Sequence, residues 1–373
     1  MKTYFYISVI GVLLLSCNRT RQSDLFEIPV EINQNNSLPL SKITEEMKAI
    51  ELELTDESLI NPDRIQRIIL EENIIIVVEA GPGEGKILVF NTDGKFLRSI
   101  GSRGQGPGEY TGIKNVALDG KNKRIYIISY PKIICYDLDG KFIKESTQPI
   151  QSNIYQDINY INDALLLLVD YVPPQNDTKQ LKKTHSLYRL NDDLQVLDSC
   201  IIRENYTDFS SVISVYFYND FILKGNTSVY LYYSEIYPKL RAPNEIVLRD
   251  TLYRLEDNLL VPELKLKFRN DGIHGFGAKF IDLLNIFRSS RYVFSIYIDN
   301  QTKNTYHFCY DTITGEGYNM QDGYTDDING IEKRVSIRPL ITDSEICYFW
   351  HTNMKPDDKE EPNPTLYIIK LKK

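Results

Sequence analysis

Hydrophobic and polar residues alternate in short runs along most of the chain, and turns separate the runs. This alternation is typical of half-buried β-strands, because successive side chains of a strand point to opposite faces. Asp93-Gly94 and Asp139-Gly140 each follow such a run, and Asp-Gly pairs favour tight hairpins. Six runs carry an aromatic residue near their ends: Phe90, Tyr136, Tyr188, Tyr253, Tyr310 and Tyr367. The pattern therefore predicts an all-β protein made of repeated hairpins.

The spacing of these aromatic residues divides the chain into six units. Neighbouring residues of the set are about 46 to 65 positions apart, the range of propeller blades with insertions in their loops. The first unit also holds strand-like runs at 64–70 and 73–78, and the second holds runs at 114–118 and 124–129. We therefore predict a six-bladed β-propeller with four-stranded blades. The pattern over residues 280–287, at the start of the fifth unit, also fits a helix.

The ends of the repeat predict how the ring closes. The last unit ends at Lys373, directly after its third strand, whereas an unassigned alternating run at 49–54 precedes the first unit. We predict that this run pairs as the outer strand of the last blade, because closure removes a free sheet edge. The propeller would then cover residues 47–373. The alternative is a short helix over 44–54.

The N-terminus has the pattern of an export signal. Lys2 precedes an apolar stretch at 4–15, which is too short for a bilayer-spanning helix of roughly 20 residues. The stretch ends in Leu14-Leu15-Ser16-Cys17, which resembles the lipobox of bacterial lipoproteins. The resemblance implies a signal peptide at 1–16, a lipid on Cys17 and a lipid-anchored tether at 17–46. It also implies a cell-envelope location on the outer membrane, and the basic residues after Cys17 favour the periplasmic side.

A second resemblance covers nearly all of the chain after Cys17. Residues 93–97, 100–101 and 104–110, the last reading Gly-Gln-Gly-Pro-Gly-Glu-Tyr, are similar to the six-bladed β-propeller lipoproteins of Bacteroidetes, which are related in shape to NHL-repeat propellers. Residues 250–255 and 326–330 add further matches. Family members commonly occur among nutrient-uptake systems, so the resemblance implies a binding role and names no reaction.

Composition and charge exclude several classes. Hydrophobic residues make up 42% of the chain and charged residues 25%, which is typical of a globular protein. The net charge of −8 argues against a nucleic-acid partner. The four cysteines beyond Cys17 lie outside any CxxC pair, and we interpret them mainly as small buried hydrophobes. No cofactor or metal site is predicted, with a calcium ion in the channel left open as an alternative.

The links that lead into each inner strand are the predicted ligand site, because we expect them to surround the mouth of the central channel. Residues 100–110 combine a planar cation, an amide, a carboxylate and an aromatic ring on a stiff, glycine-rich link. The candidate residues of this and the other links are Asn61, Arg64, Arg103, Gln105, Glu109, Tyr110, Asp157, Lys279, Asp326, Asp327 and Asn329. An alternative for Arg103 and Glu109 is that they only brace their own link.

These features predict a membrane-anchored binding protein whose channel mouth takes a polar small molecule, a glycan or an envelope protein. One alternative is a lactonase-like hydrolase or lyase with a channel metal. The other is a structural partner in an outer-membrane uptake complex.

Overall fold

Six sheets of antiparallel strands, one of which gains a parallel strand at its edge, follow one another along the chain as blades. The structure, a computed structural model, describes residues 25–32, 34–81, 83–147, 149–150, 153–171, 180–208, 221–233, 250–256, 259–269, 280–353 and 361–373. Four elements precede the first blade: β1 (Phe26–Glu31), the one-turn helix α1 (Leu40–Ile43), β2 (Thr44–Glu51) and the 3-10 turn Pro62–Arg64. The fold is the predicted six-bladed β-propeller.

The first three blades have four strands each. Blade one contains β3 (Ile65–Glu71), β4 (Ile74–Gly81), β5 (Glu84–Asn91) and β6 (Phe96–Ser99). The link to blade two contains the short parallel pair β7 (Ser102–Arg103) and β8 (Glu109–Tyr110). Blade two contains β9 (Asn115–Asp119), β10 (Arg124–Ser129), β11 (Lys132–Asp137) and β12 (Phe142–Thr147). Blade three contains β13 (Asn153–Ile161), β14 (Ala164–Tyr171), β15 (Gln180–Leu190) and β16 (Val196–Asp208).

The last three blades complete the ring. Blade four contains β17 (Ile222–Lys224), β18 (Val229–Leu231), β19 (Thr251–Glu256) and β20 (Leu259–Arg269). Blade five contains β21 (Ile281–Arg288), β22 (Tyr292–Asp299), β23 (Asn304–Asp311) and β24 (Glu316–Gln321). Blade six contains β25 (Arg338–Pro339), β26 (Ile346–His351) and β27 (Thr365–Leu371), with β2 as its outer strand. The segment at 280–287 is therefore a strand and not a helix.

Strand β2 closes the ring. It pairs antiparallel with β27, with Ile50 opposite Leu366, and both side chains are buried in one apolar cluster. The pairing of an N-terminal strand with the last blade is confirmed, although the strand begins at Thr44 and ends at Glu51, earlier than the predicted 49–54. Helix in this region is limited to the single turn of α1, just before β2.

Residues 25–43, the N-terminal strap, follow the rim of the ring, whereas the sequence pattern assigned them to a tether. Strand β1 pairs in parallel with β20 and makes blade four five-stranded. The strap then crosses blade five. There the backbone amide of Asn36 donates to the backbone carbonyl of Asn319 at 2.6 Å, and the backbone amide of Asn319 donates to the side-chain Oδ1 of Asn36 at 3.1 Å. Ile28 and Val30 are fully buried, so this segment is part of the folded domain from Phe26 onward.

Apolar side chains fill the spaces between blades. Leu165 and Leu167 of blade three, for example, belong to one cluster with Tyr126 and Cys135 of blade two. Cys135, Cys309 and Cys347 are buried and no disulfide is present among the described residues, in agreement with their interpretation as small hydrophobes. Among the residues described, no helix has both the length and the hydrophobicity needed to span a bilayer.

The two faces of the ring differ in which connections they carry. We call the face where each outer strand passes to the next inner strand the link face. The opposite face, the turn face, carries the tight turns between first and second and between third and fourth strands. Two of these turns contain Gly94 and Gly140 with φ near +87°, which supports the predicted Asp-Gly hairpins.

Candidate functional site

Inner strands surround a central channel, and β-bulges shape its link-face half. Strands β3, β13 and β21 each carry an extra residue near their starts. The residues directly after these bulges are Arg67, Asp157 and Asn285. A bulge changes the direction of the next side chain. The bulges therefore place polar groups where simple alternation would put apolar ones.

Asp157 ties three blades together at this level. Its side chain is fully buried and accepts hydrogen bonds from the Asn115 side-chain amide at 2.6 Å and from its neighbour's backbone amide at 2.7 Å. It also accepts from the backbone amides of Phe221 and Ile222 at 2.8 and 2.7 Å. Asp157 is one of the residues predicted from sequence, and it lies on the inner strand of blade three. These hydrogen bonds join the inner strands of blades two, three and four.

Two arginines cross between blades in the same half of the channel. The Arg67 guanidinium donates to the carbonyl of Val116 at 2.9 Å and lies 3.9 Å from Asp157. The Arg338 guanidinium donates to the carbonyl of Gln66 at 3.0 Å and stacks 4.7 Å above the Trp350 ring. These contacts connect blade six to blade one, and blade one to blades two and three.

A buried polar layer lies beside this half, between blades three and four. Asp170 accepts hydrogen bonds from His185 at 2.6 Å, Gln156 at 2.7 Å, Lys183 at 2.8 Å and the Tyr233 hydroxyl at 3.0 Å. Burial raises the pKa of the Asp170 carboxyl, but the hydrogen bonds and charges of His185 and Lys183 outweigh it and hold this pKa below its usual range. All five side chains are buried.

The turn-face half of the channel is open. It holds a cavity of about 850 Å³ that extends between the inner strands to the turns that follow them. Its wall includes the aliphatic side chains of Leu70, Leu118, Leu223, Leu340 and Ile341. Polar residues at the ends of the inner strands and in the turns after them also line it: Glu71, Lys121, Asn159, Asp163, Lys224, Asn226 and Ser344. The cavity thus combines apolar and polar groups in its wall, with charges of both signs at its rim.

Five of the six blades line this cavity, and a cross-connection explains why blade five does not. After β25, the chain passes in front of blade five and reaches blade four, where the Thr342 amide donates to the carbonyl of Lys224 at 3.0 Å. The Asp343 amide donates to the carbonyl of Arg288 at 2.7 Å, and the Asn226 side chain donates to the carbonyl of Asp343 at 2.7 Å. The turn of blade six therefore replaces blade five as part of the wall.

The predicted link at 100–110 does not reach the channel, because it packs on the outer strands of blade two. Lys132 of β11 donates to the carbonyl of Gly106 at 2.9 Å, and Glu145 of β12 accepts from the Gly108 amide at 2.9 Å. A Cβ at Gly108, where φ is +72°, would lie 2.8 Å from the Phe142 ring. Contacts with the blade's perimeter hold this link away from the channel mouth.

The four candidate residues of this link have local roles or face solvent. Glu109 accepts a hydrogen bond from the Gly106 amide at 2.8 Å, so the bracing alternative is correct for its carboxylate. Tyr110 is buried between blades one and two, and burial together with Tyr136 raises its pKa to about 12. Arg103 and Gln105 are exposed on the rim.

Other predicted residues also stabilise their own links. Asn61 caps the 3-10 turn Pro62–Arg64 by accepting from the Asp63 amide at 3.1 Å, and Arg64 at the end of that turn is half-buried. The Asn61 amide in turn donates to Glu79 at 3.1 Å. Burial raises the pKa of Glu79, and the charges of Lys86 and Arg64 oppose that rise.

The acidic link before blade six holds the N-terminal strap. Asp326 accepts from the backbone amides of Ile328 and Asn329, both at 2.9 Å. Asp327 accepts from the backbone amide and hydroxyl of Ser41 at 3.0 and 2.5 Å, and these bonds lower the pKa of Asp327. Asp326, Asp327 and Asn329 therefore lie at the rim and not in the channel. Lys279 and Cys17 lie outside the described residues.

Sequence reasoning missed Arg67, Asn115 and the cavity wall. The available signal was a break in the alternation, since Gln66-Arg67 and Gln156-Asp157 each place two polar residues in a row between apolar ones. Such a break indicates a bulge and a redirected side chain. Among the described residues, no group of three or more His, Cys, Asp or Glu side chains is arranged to hold a metal ion.

Residues 25–372 match the family described as a domain of unknown function, DUF4934. The chain belongs to this family. Its fold is similar to the crystal structure of a Bacteroides fragilis NCTC 9343 protein named as exported, with a TM-score of 0.64 and 18% identity over 93% of this chain and 100% of that one. At that identity the likeness shows the fold alone. None of the curated proteins matches the chain.

Two weaker structural likenesses accompany this match. A protein of unknown function from Bacteroides caccae is 12% identical, with a TM-score of 0.37 over 80% of this chain and 90% of that one. The β-propeller domain of the Trilobed protease from Pyrococcus furiosus is 11% identical, with a TM-score of 0.36 over 83% of each chain. These scores are too low to indicate a function for DUF4934 proteins.

Proposed function

We propose that this DUF4934 protein is a lipid-anchored binding protein of the cell envelope whose channel cavity takes a small polar ligand. The pattern of an export signal that ends at Cys17 supports the anchor. We place the protein on the outer membrane, facing the periplasm, among the propeller lipoproteins that its sequence resembles.

The observation that carries the binding role is the open turn-face cavity. Its volume of about 850 Å³ lies within the roughly 300–1,000 Å³ of small-molecule sites. Concave sites of this kind usually combine an apolar wall with a few polar groups that orient the ligand. Leu70, Leu118 and Leu223 supply the wall, while Asp163 and Lys224 at the rim are suited to hydroxyl, amide or charged groups. A small sugar or a similar polar molecule fits this arrangement.

A bulky residue in the cavity tests this assignment. Leu70 lines the cavity and is 37% exposed, whereas Leu97 on the outer strand of the same blade is 42% exposed. Purified protein is screened for ligands by thermal shift against a library of sugars, amino acids and metabolites, and affinities are measured by calorimetry. We expect Leu70→Trp to weaken binding more than roughly tenfold, or ~1.4 kcal/mol, with the melting temperature nearly unchanged. Leu97→Trp, the matched control, should bind as the parent does.

The result that contradicts the proposal is a ligand whose affinity Leu70→Trp leaves unchanged. Such a ligand would bind elsewhere on the ring. The absence of any ligand in the screen, combined with specific recovery of a transporter by the lipidated protein, would instead favour the role of structural partner.

The anchor has a separate test. Cys17→Ala should leave the protein without lipid, so that it washes from membranes with salt, whereas the parent stays bound. A Cys200→Ala variant is the matched control, because Cys200 is the half-buried thiol of the folded domain. Membrane retention of the Cys17 variant would contradict the anchor.

A further inference from the structure

The N-terminal strap determines where a lipid anchor would hold the ring. Leu25 lies at the rim of blade four, because β1 pairs with the outer strand β20. Only seven residues separate it from Cys17, so that eight Cα-to-Cα steps reach at most about 29 Å in a fully extended chain. The rim of blade one, across the ring, is farther away: seven strand spacings of ~4.8 Å separate the two rims before the channel is counted. The blade-four side must therefore stay near the bilayer.

The most exposed large apolar side chains of the described residues lie on this same side. Leu259 and Ile313 are each 69% exposed. Leu259 begins the outer strand of blade four, and Ile313 lies in the turn that leads to the outer strand of blade five. Phe26 is 44% exposed. Its ring packs edge-on against the Tyr310 ring of blade five, with 6.2 Å between the ring centroids, and so connects the two blades. We call Phe26, Leu259 and Ile313 the apolar corner.

The direction of β1 places the tether at this corner. Phe26 lies opposite Leu264 and Glu31 lies opposite Arg269, so β1 runs from the turn face toward the link face. The chain therefore enters the rim from the turn face, where Leu259 and Ile313 stand. A single exposed leucine is ordinary on a protein surface. Three exposed apolar side chains, one at the start of β1 and two at the turn-face ends of blades four and five, lie on the side from which a short lipid-bearing tether approaches, and they are suited to a lipid surface.

We propose that the apolar corner rests on the bilayer and inserts its aliphatic tips, while the lipid on Cys17 keeps it there. This inference rests on the proposed lipid anchor. The three side chains of the apolar corner would bind lipid only weakly by themselves. The tether holds them close to the bilayer, and this high effective concentration makes the contact persist. Because the channel cavity opens on the turn face, the orientation brings its mouth to the membrane-facing side of the ring.

Fluorescence quenching by brominated lipid tests the orientation. The chain from Cys17 onward, with Cys200→Ser, is coupled through Cys17 to a maleimide lipid in phosphatidylcholine vesicles, since Cys135, Cys309 and Cys347 are buried. Tryptophan is introduced as Leu259→Trp, Ile313→Trp or, as the matched control, Leu97→Trp on blade one. The chain has a single native tryptophan, Trp350, so the protein without an added tryptophan gives the background quenching that is subtracted from each variant. We expect several-fold stronger quenching at positions 259 and 313 than at 97.

Equal quenching at the three positions, or none at 259 and 313 in coupled protein, would overturn the orientation. The synthetic coupling makes this result independent of native lipidation, which the Cys17→Ala fractionation tests alone. A second variant tests the tips: Leu259→Asp with Ile313→Asp should remove most quenching of a Phe26→Trp reporter, while Leu97→Asp should not. Unchanged quenching would overturn the role of the tips. If the parent protein forms dimers in solution and the double variant does not, the apolar corner is an interface between two copies of the chain and not a membrane contact.

Discussion

The two halves of the channel contain the same inner strands but make different use of their polar side chains. In the link-face half, Asp157 and Arg67 bind backbone groups of neighbouring blades, and the Asn115 side-chain amide donates to the Asp157 carboxylate. In the turn-face half, Lys224, Asp163 and their neighbours surround an open volume, although the Asn226 side chain there also donates to the Asp343 carbonyl. Charged residues in a propeller channel are therefore not by themselves a ligand site. Those whose hydrogen bonds are satisfied by the ring hold it together, and substitutions in the two halves should have different effects.

The largest effect is expected from Asp157→Ala. The change leaves two buried backbone amides of blade four and the Asn115 amide without their acceptor. Breaking one partner of a buried charged network typically costs about 3–5 kcal/mol. Urea unfolding at neutral pH measures the loss. A cost below about 1 kcal/mol would show that the Asp157 network in the link-face half contributes no more to stability than an ordinary hydrogen bond.

Tyr110→Ala should cost about 3 kcal/mol, because it removes a buried aromatic ring from the cluster between blades one and two. Arg103→Ala, seven residues earlier in the same link, is the control and should leave the free energy of unfolding nearly unchanged, since its side chain is exposed. Ligand affinity should be unaffected in both variants that remain folded. Weaker ligand binding by the Arg103→Ala variant would show that the link at 100–110 is part of the binding site after all.

Asp170→Asn should lower stability by about 2 kcal/mol at neutral pH, because the amide loses the charge that His185 and Lys183 stabilise. The folded pKa of Asp170 is below the value near 3.9 of an unfolded aspartate, so its contribution is present above that value. It is lost as the pH falls through the folded pKa. The stability difference between parent and variant should therefore shrink below about pH 4. A constant difference down to the acid transition would contradict this account.

The smallest effect on stability is expected from Leu70→Ala in the turn-face half of the channel. Its side chain is 37% exposed and lines the cavity, so its removal should change the free energy of unfolding by no more than about 0.5 kcal/mol. Leu165→Ala, at a fully buried position of blade three, is the contrasting control and should cost about 3 kcal/mol. Similar costs at both positions would mean that the cavity wall is packed as tightly as the core.

The sequence allowed the propeller to be predicted because its signals are local and repeated. Asp-Gly turns and aromatic-ended runs recur in successive blades, so an error in one unit does not change the architecture. The closing strand was also recognisable, since Ile50 and Leu52 alternate with acidic residues. Strand β1 was not recognised: Pro29 interrupts a short run, and proline in a strand is tolerated mainly at an edge, which is the place that β1 occupies.

The site could not be predicted in the same way, because the course of a link depends on distant residues. Residues 101–110 follow the rim since Lys132, Phe142 and Glu145, in strands that begin more than twenty positions later, provide their contacts. The cavity depends on the turn at 341–344 reaching blade four, which no local pattern indicates. Of the candidate residues that the structure describes, only Asp157 lies on an inner strand.

The path of the N-terminal strap also determines how the protein would respond to mechanical load. A pull on the N-terminus meets the six-residue parallel ladder between β1 and β20 first. Because the force acts along the strand, the ladder bonds resist together in shear and do not open one at a time. The Asn36–Asn319 bonds stand next in line, the Ser41–Asp327 bonds follow, and the closing pair β2–β27 comes last. The strap would therefore relieve tension before it reached the strand that keeps the ring closed.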